Sequence, residues 1–97
     1  MAIGIVLTYT RTNTGVPFYP FSDDLVELIQ IYQSEGKISG YAVDTSQENK
    51  LIYRLTYAND SVKTEFRNKA AVVNYQDQRD EYNHENSIST TLDEYFL

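Results

Sequence analysis

The chain of 97 residues contains no cysteine. Disulfides, thiolate metal sites and thiol catalysis are therefore excluded, and the composition fits a reducing compartment, so the expected location is cytoplasmic. There is one histidine, His84, and no serine framed by glycines, which leaves nucleophilic catalysis without its usual parts. The four glycines stand singly, so no phosphate-binding loop can be built from them. No apolar run is long enough to cross a bilayer. The opening segment MAIGIVLTYTR carries neither a basic leader nor a cleavage site, and it is expected to be the first strand of a soluble protein. Internal repeats, low-complexity tracts and linkers are also missing. A chain of this length has room for one core, so residues 1–97 are expected to form a single domain.

Basic residues are scarce where acids are dense. The formal net charge is −6, and residues 77–97 hold six acids (Asp77, Asp80, Glu81, Glu85, Asp93, Glu94) against Arg79 alone. Such an acidic end disfavours nucleic-acid phosphates and anionic membranes as partners. The simplest role for these acids is a solvated surface that keeps a small protein soluble.

What is present begins with FSDDLVELIQIYQSEG, residues 21–36. Ser22 is a good N-cap, and Asp23 and Asp24 follow at the positive end of the helix dipole. Leu25, Leu28, Ile29 and Tyr32 repeat at three- and four-residue intervals, Phe21 and Val26 stand at the positions of a hydrophobic staple, and Gly36 can adopt the left-handed conformation that ends a helix. Before this helix, Ile3, Ile5, Leu7 and Tyr9 alternate through a strand at 2–11. The loop TNTGVPFYP between them holds three neighbouring aromatics, Phe18, Tyr19 and Phe21, expected to fold back over the core or to meet a partner. After it, 38–45 and 50–57 read as two strands of an antiparallel hairpin, with Gly40 a candidate bulge. Asn59, Asp60 and Ser61 offer caps for a second helix over 60–83. Its stripe is Val62, Phe66, Ala70 and Val73, and Val72, Tyr75, Arg79 and Tyr82 continue on a rotated face. Asn74 is the expected site of a kink or of a division into two helices. A fourth strand is expected at 87–92, followed by an apolar tip, Tyr95, Phe96 and Leu97.

The order β-α-β-β-α-β predicts an α+β, ferredoxin-like domain: a four-stranded antiparallel sheet with two helices on one face. This order, the size and the apolar second sheet face resemble the dimeric α+β barrel families, among them the antibiotic-biosynthesis-monooxygenase-like proteins. That resemblance implies a homodimer packed through open sheet faces, and enzymes that often use no cofactor. In composition the chain is also similar to small, tyrosine-rich proteins of bacterial viruses.

Three groups of residues are candidates for chemistry. Glu81 and His84 have the i, i+3 spacing of a carboxylate–histidine metal pair, but such sites need further ligands that are missing, so no metal is expected. The acids of NYQDQRDEYNHEN lie in a run without aliphatic residues and are expected to be hydrated. The nine tyrosines are the most distinctive feature. On strands they could form a base-stacking platform, but KLIYRLTY lacks the glycine and alternating aromatics of RNA-recognition motifs, so no nucleic-acid binding is expected. The first functional expectation is a small non-catalytic binding or structural module acting as a homodimer, with a protein partner as a further option. An alternative is a cofactor-independent small-molecule enzyme of the barrel type, with Tyr9, Tyr41, Tyr53, Arg54 and Tyr57 lining a pocket between helices and sheet. Another is an acidic decoy that binds a basic protein surface.

Overall fold

The computed structural model describes residues 1–97. Its central strand is β1 (Ile3–Arg11), which pairs antiparallel with β3 (Lys50–Tyr57) on one side and with β4 (Ile88–Phe96) on the other. The outer strand β2 (Ile38–Asp44) completes the order β2-β3-β1-β4, the expected four-stranded antiparallel sheet. Period-two alternation decides what each face carries. Ile3, Ile5 and Tyr9 of β1, with Leu51, Tyr53, Leu55 and Tyr57 of β3, are buried on the face that packs against the helices. Gly4, Val6, Thr8, Ile52, Arg54 and Thr56 alternate with them on the opposite face, where no helix lies. The register of β2 shifts between Ile38 and Gly40, the bulge expected near Gly40.

Three helices cover the first face. In α1 (Asp23–Ser34) the Ser22 hydroxyl accepts a hydrogen bond from the Leu25 N–H at 3.2 Å, and Leu25, Ile29 and Tyr32 are buried. Gly36, at φ +74°, takes the left-handed conformation just past its end. Phe21 stacks flat on Tyr53, with ring centres 3.7 Å apart.

The expected second helix is two, α2 (Asp60–Arg67) and α3 (Ala70–Glu85). The division falls at Asn68 and Lys69, not at Asn74, which lies inside α3. Asn68 ends α2 by turning its side chain back to donate to the Thr64 carbonyl at 2.9 Å, a local bond that competes with helix continuation. The stripe 62-66-70-73 therefore stops at Phe66. Past the break Ala70 and Val73 are exposed, and Val72 and Tyr75 turn inward instead.

Strand β4 runs four residues beyond the expected 92. Tyr95 and Phe96 pair with Gly4 and Ile3, and the Leu97 N–H donates to the Ala2 carbonyl at 3.0 Å, so the apolar tip belongs to the sheet. No helix is long and apolar enough to cross a membrane.

Candidate functional site

Splitting the second helix leaves a space. Between the helix-facing side of the sheet and the pair α2–α3 lies a cavity of about 330 Å³, at the small end of the range of ligand sites, about 300–1,000 Å³. Its floor is apolar and buried: Ile5, Tyr53, Leu55 and Tyr57 from the sheet, Phe66 from α2, Val72 and Tyr75 from α3. Phe21 and Leu25 close one side. The exposed members of its wall, which mark its mouth, are Thr90 and Leu92 of the edge strand β4, Asp80 of α3 and Arg67 at the end of α2.

Polar groups gather at one end. The Tyr75 hydroxyl donates to the Tyr19 carbonyl at 3.0 Å, so in its 2.7 Å contact with Tyr9 it accepts. Three segments distant in sequence are tied by this relay. The Tyr53 oxygen accepts the Phe21 N–H at 3.2 Å. Arg79, whose side chain is only 11% exposed, donates from Nη2 to Asp80 Oδ1 at 2.9 Å. Its guanidinium carbon lies 5.8 Å from the ring centres of both Tyr9 and Tyr75, at the outer range of a cation–π contact. Asn83, buried on α3, donates from Nδ2 to Thr90 Oγ1 at 3.1 Å and thereby leaves the threonine proton free to donate to a ligand.

These phenols stay protonated. Burial pushes Tyr53 up to about 12, partly offset by the Phe21 N–H, and pushes Tyr57 up to about 12, with the charge of Arg67 pulling the other way. Burial raises Tyr75 further, reinforced by Tyr9, and burial raises Tyr9 as well. At neutral pH they offer hydrogen bonds and apolar area, not charge. The charged groups on the cavity wall are Arg67, Arg79 and Asp80.

Of the five residues expected to line a pocket, Tyr53 and Tyr57 lie on the wall. Tyr9 stands directly behind it, bonded to Tyr75. Tyr41 is half-buried on the same sheet face, its ring edge-on to Phe21 at 6.3 Å, outside the cavity. Arg54 alternates with Tyr53 and so points to the opposite face, where it pairs with Asp44 at 3.7 Å. Tyr75, Arg79, Asp80, Thr90 and Arg67 were not among the expected residues. Tyr75 and Arg79 carried a signal in their i, i+4 spacing, Asp80 stood among the candidate acids but read as hydrated, and Thr90 and Arg67 carried none.

No sequence-family model matches the chain, and no curated protein matches it. Its fold does match solved structures. Rv0793 from Mycobacterium tuberculosis superposes with a TM-score of 0.69 at 13% identity, over 100% of this chain and 95% of that one. A protein from Deinococcus radiodurans, provisionally described as an antibiotic biosynthesis monooxygenase, gives 0.61 at 16% identity over 100% and 92%. SnoaB, a cofactor-independent oxygenase from Streptomyces nogalater, gives 0.61 at 3% identity over 99% and 92%. The chain thus has the ferredoxin-like α+β fold of the antibiotic-biosynthesis-monooxygenase-like proteins, and at these identities the likeness is one of fold.

Proposed function

We propose that the chain is a small-molecule enzyme working without a bound cofactor, with the cavity under α2 and α3 as its substrate site. The observation that carries this reading is an apolar, aromatic-walled cavity at one end of which the Arg79–Asp80 pair and the Thr90 hydroxyl stand together. The oxygenase activity of one structural neighbour supports the class of reaction. Cofactor-free oxygenation draws its electrons from the substrate. A ring CH2 conjugated to a carbonyl loses a proton, and the resulting enolate is oxidised by O2 to a peroxide. One oxygen atom is kept as a new carbonyl, and the other leaves as water with the abstracted proton and the second hydrogen of the CH2. Asp80 is positioned to take the proton, and Arg79 with Thr90 to hold the oxygen that bears the resulting charge. The test is oxygen uptake without added flavin, metal or nicotinamide, on planar carbon acids of this kind. We expect uptake that Asp80→Asn lowers by about 100-fold or more. Uptake equal in the wild type and Asp80→Asn would reject the mechanism, and no uptake on any such compound would favour a non-catalytic binding module.

The enzyme is proposed to act as a homodimer through the uncovered sheet face, where Val6, Ile52 and Tyr95 supply apolar area. Acidic chains repel, so the dimer is expected to tighten with salt. Sedimentation at micromolar concentration checks this. A monomer at both low and high salt refutes the dimer, and Val6→Asp should shift the equilibrium towards monomer. The pairing of acids leaves little surface for a decoy. Two of them are already held, Glu94 by Lys63 at 2.7 Å and Asp80 by Arg79, and the exposed stripe left on α3 is Asp77, Glu81 and Glu85 alone, three carboxylates one turn apart.

A further inference from the structure

The cavity has a second polar end. Tyr57 and Tyr53 are four residues apart on β3, so the Phe66–Tyr57 end and the Tyr53–Tyr75 end are about 13 Å apart along the strand. Arg79, Asp80 and Thr90 belong with the second end, and Arg67, the residue next to Phe66, with the first. The four arginines of the chain differ in what they bind. Arg11 donates to the carbonyls of Val16 and Glu48, Arg54 pairs with Asp44, and Arg79 pairs with Asp80. Arg67 makes no hydrogen bond or ion pair, although the chain has 14 acids against eight bases. The nearby acids are engaged elsewhere: Glu65 pairs with Lys37, and Asp60 and Glu94 with Lys63. Position at the end of α2 accounts for a basic residue there, since a cation suits a helix C-terminus. It does not account for a guanidinium on the wall of an apolar cavity with no protein group holding it.

Because Arg79 and Asp80 cancel, the wall carries a net charge of one positive unit inside a chain of net charge −6. We propose that this cavity selects an elongated, apolar anion, with a carboxylate or sulfonate on Arg67 at the mouth, an apolar body against Phe66, Tyr57 and Leu55, and a neutral polar group towards Thr90 and Arg79. The inference rests on the cavity being the substrate site and names the class of molecule it takes. The guanidinium fork suits a two-oxygen anion. The direction of the preference is diagnostic, because the net charge of the whole chain would by itself make an anion bind more weakly than its neutral analogue.

The test uses two fluorescent probes of one shape, 1-anilinonaphthalene-8-sulfonate and its uncharged parent N-phenyl-1-naphthylamine, titrated against the full chain. We expect the sulfonate to bind more tightly than the parent. Arg67→Gln should weaken the sulfonate about tenfold and the parent less than about twofold, in line with loss of one charge-assisted contact. Arg67→Lys should recover part of the loss. Val72→Phe, which fills the floor, should weaken both probes. Circular dichroism of each variant confirms its fold, and since Arg67 is exposed its substitution should leave that fold in place. If both probes bind and Val72→Phe weakens both but Arg67→Gln weakens neither, the anion preference is wrong and the cavity stands as a site. Should neither probe bind, or Val72→Phe leave both unaffected in a folded protein, the cavity itself is wrong as a site for molecules of this kind, and the inference falls with it.

Discussion

The two faces of the sheet are made from alternate residues of the same four strands, yet their chemistry differs. Eight of the nine tyrosines lie on the helix side, and Tyr95 alone lies on the open side. On the helix side five of the eight phenol oxygens have hydrogen-bond partners, while that of Tyr32 is buried without one. Tyr9, Tyr75 and Tyr19 form one relay, Tyr53 holds the Phe21 N–H, and Tyr82 donates to the Pro17 carbonyl. These bonds fasten the loop between β1 and α1 onto the sheet, which is where its three neighbouring aromatics end up. On the open side no such bonding is required. Tyr95 lies across the backbone of Gly4, its cross-strand partner, and hydrogen-bonds to nothing. The helix side thus holds its shape through packing and specific bonds, with a cavity where α2 and α3 part. The open side is a thinner apolar surface, the one proposed above to meet a second copy.

The contrast is broken most severely by removing an anchor of the helix side. Phe66 is buried between Tyr32, edge-on at 5.3 Å, and Tyr57, tilted at 5.5 Å. Phe66→Ala enlarges the adjoining cavity and should cost about 3–5 kcal/mol in chemical denaturation. A loss below about 1 kcal/mol would mean that this side tolerates a void and is not the rigid half.

Alkaline pH probes the same side without mutation. Tyr53 and Tyr57 titrate near 10 in the unfolded chain and about 12 when folded. The folded state holds these protons more tightly, so their stabilising effect is complete below about pH 10 and is lost as pH rises towards about 12. Each contributes a slope of about 1.4 kcal/mol per pH unit across that window. Denaturant midpoints should be flat up to about pH 9.5 and fall beyond it. A flat profile through pH 11 would show that the two phenols are hydrated.

Tyr75→Phe is a smaller change with a sharper signature. It strands the buried Tyr9 hydroxyl and should cost about 1–3 kcal/mol. Tyr9→Phe should cost less, because Tyr75 keeps its bond to the Tyr19 carbonyl. The double variant should lose less than the sum of the two single losses, since no phenol is then left without its partner. Strict additivity would show that the two hydroxyls do not act as a pair.

Most of the fold was legible in the sequence, and most of the candidate site was not. Strand β3 and helix α1 announced themselves through alternation and through Ser22 and Gly36, which are local signals. The break at Asn68 was missed because Ala70 and Val73 extend the spacing of Val62 and Phe66 without interruption, and only the backbone shows that Asn68 turns on Thr64. Once the break is misplaced, Tyr75 and Arg79 fall on a face with nothing opposite, and Asp80 looks like one more hydrated acid. The far end of β4 was missed because Asp93 and Glu94 interrupt the apolar alternation. Pairing with β1 keeps the strand going, and Glu94 reaches Lys63. The stacking of Phe21 on Tyr53 spans 32 residues and leaves no trace in either segment alone.

The last prediction concerns the open face, and its expected effect on the monomer is the smallest. At Gly4 a methyl group would overlap the outer ring atoms of Tyr95. Those atoms are the far end of a side chain that is 42% exposed, so the ring can swing aside into solvent. The alanine restricts the unfolded chain and so contributes about 0.4–1 kcal/mol of stability. The displaced ring gives up contact with the Gly4 backbone, an opposing loss on the order of 1 kcal/mol if some 40 Å² of apolar surface is re-exposed. Gly4→Ala should therefore change monomer stability by less than about 1 kcal/mol in either direction. If the open face is the dimer surface, the displaced ring stands proud of it and the dissociation constant should rise by more than the stability change accounts for. Denaturation and sedimentation on the same variant separate the two effects. A stability loss of several kcal/mol would show that Tyr95 is as fixed as the tyrosines of the helix side. An unchanged dimer would place the contact between copies elsewhere on the chain.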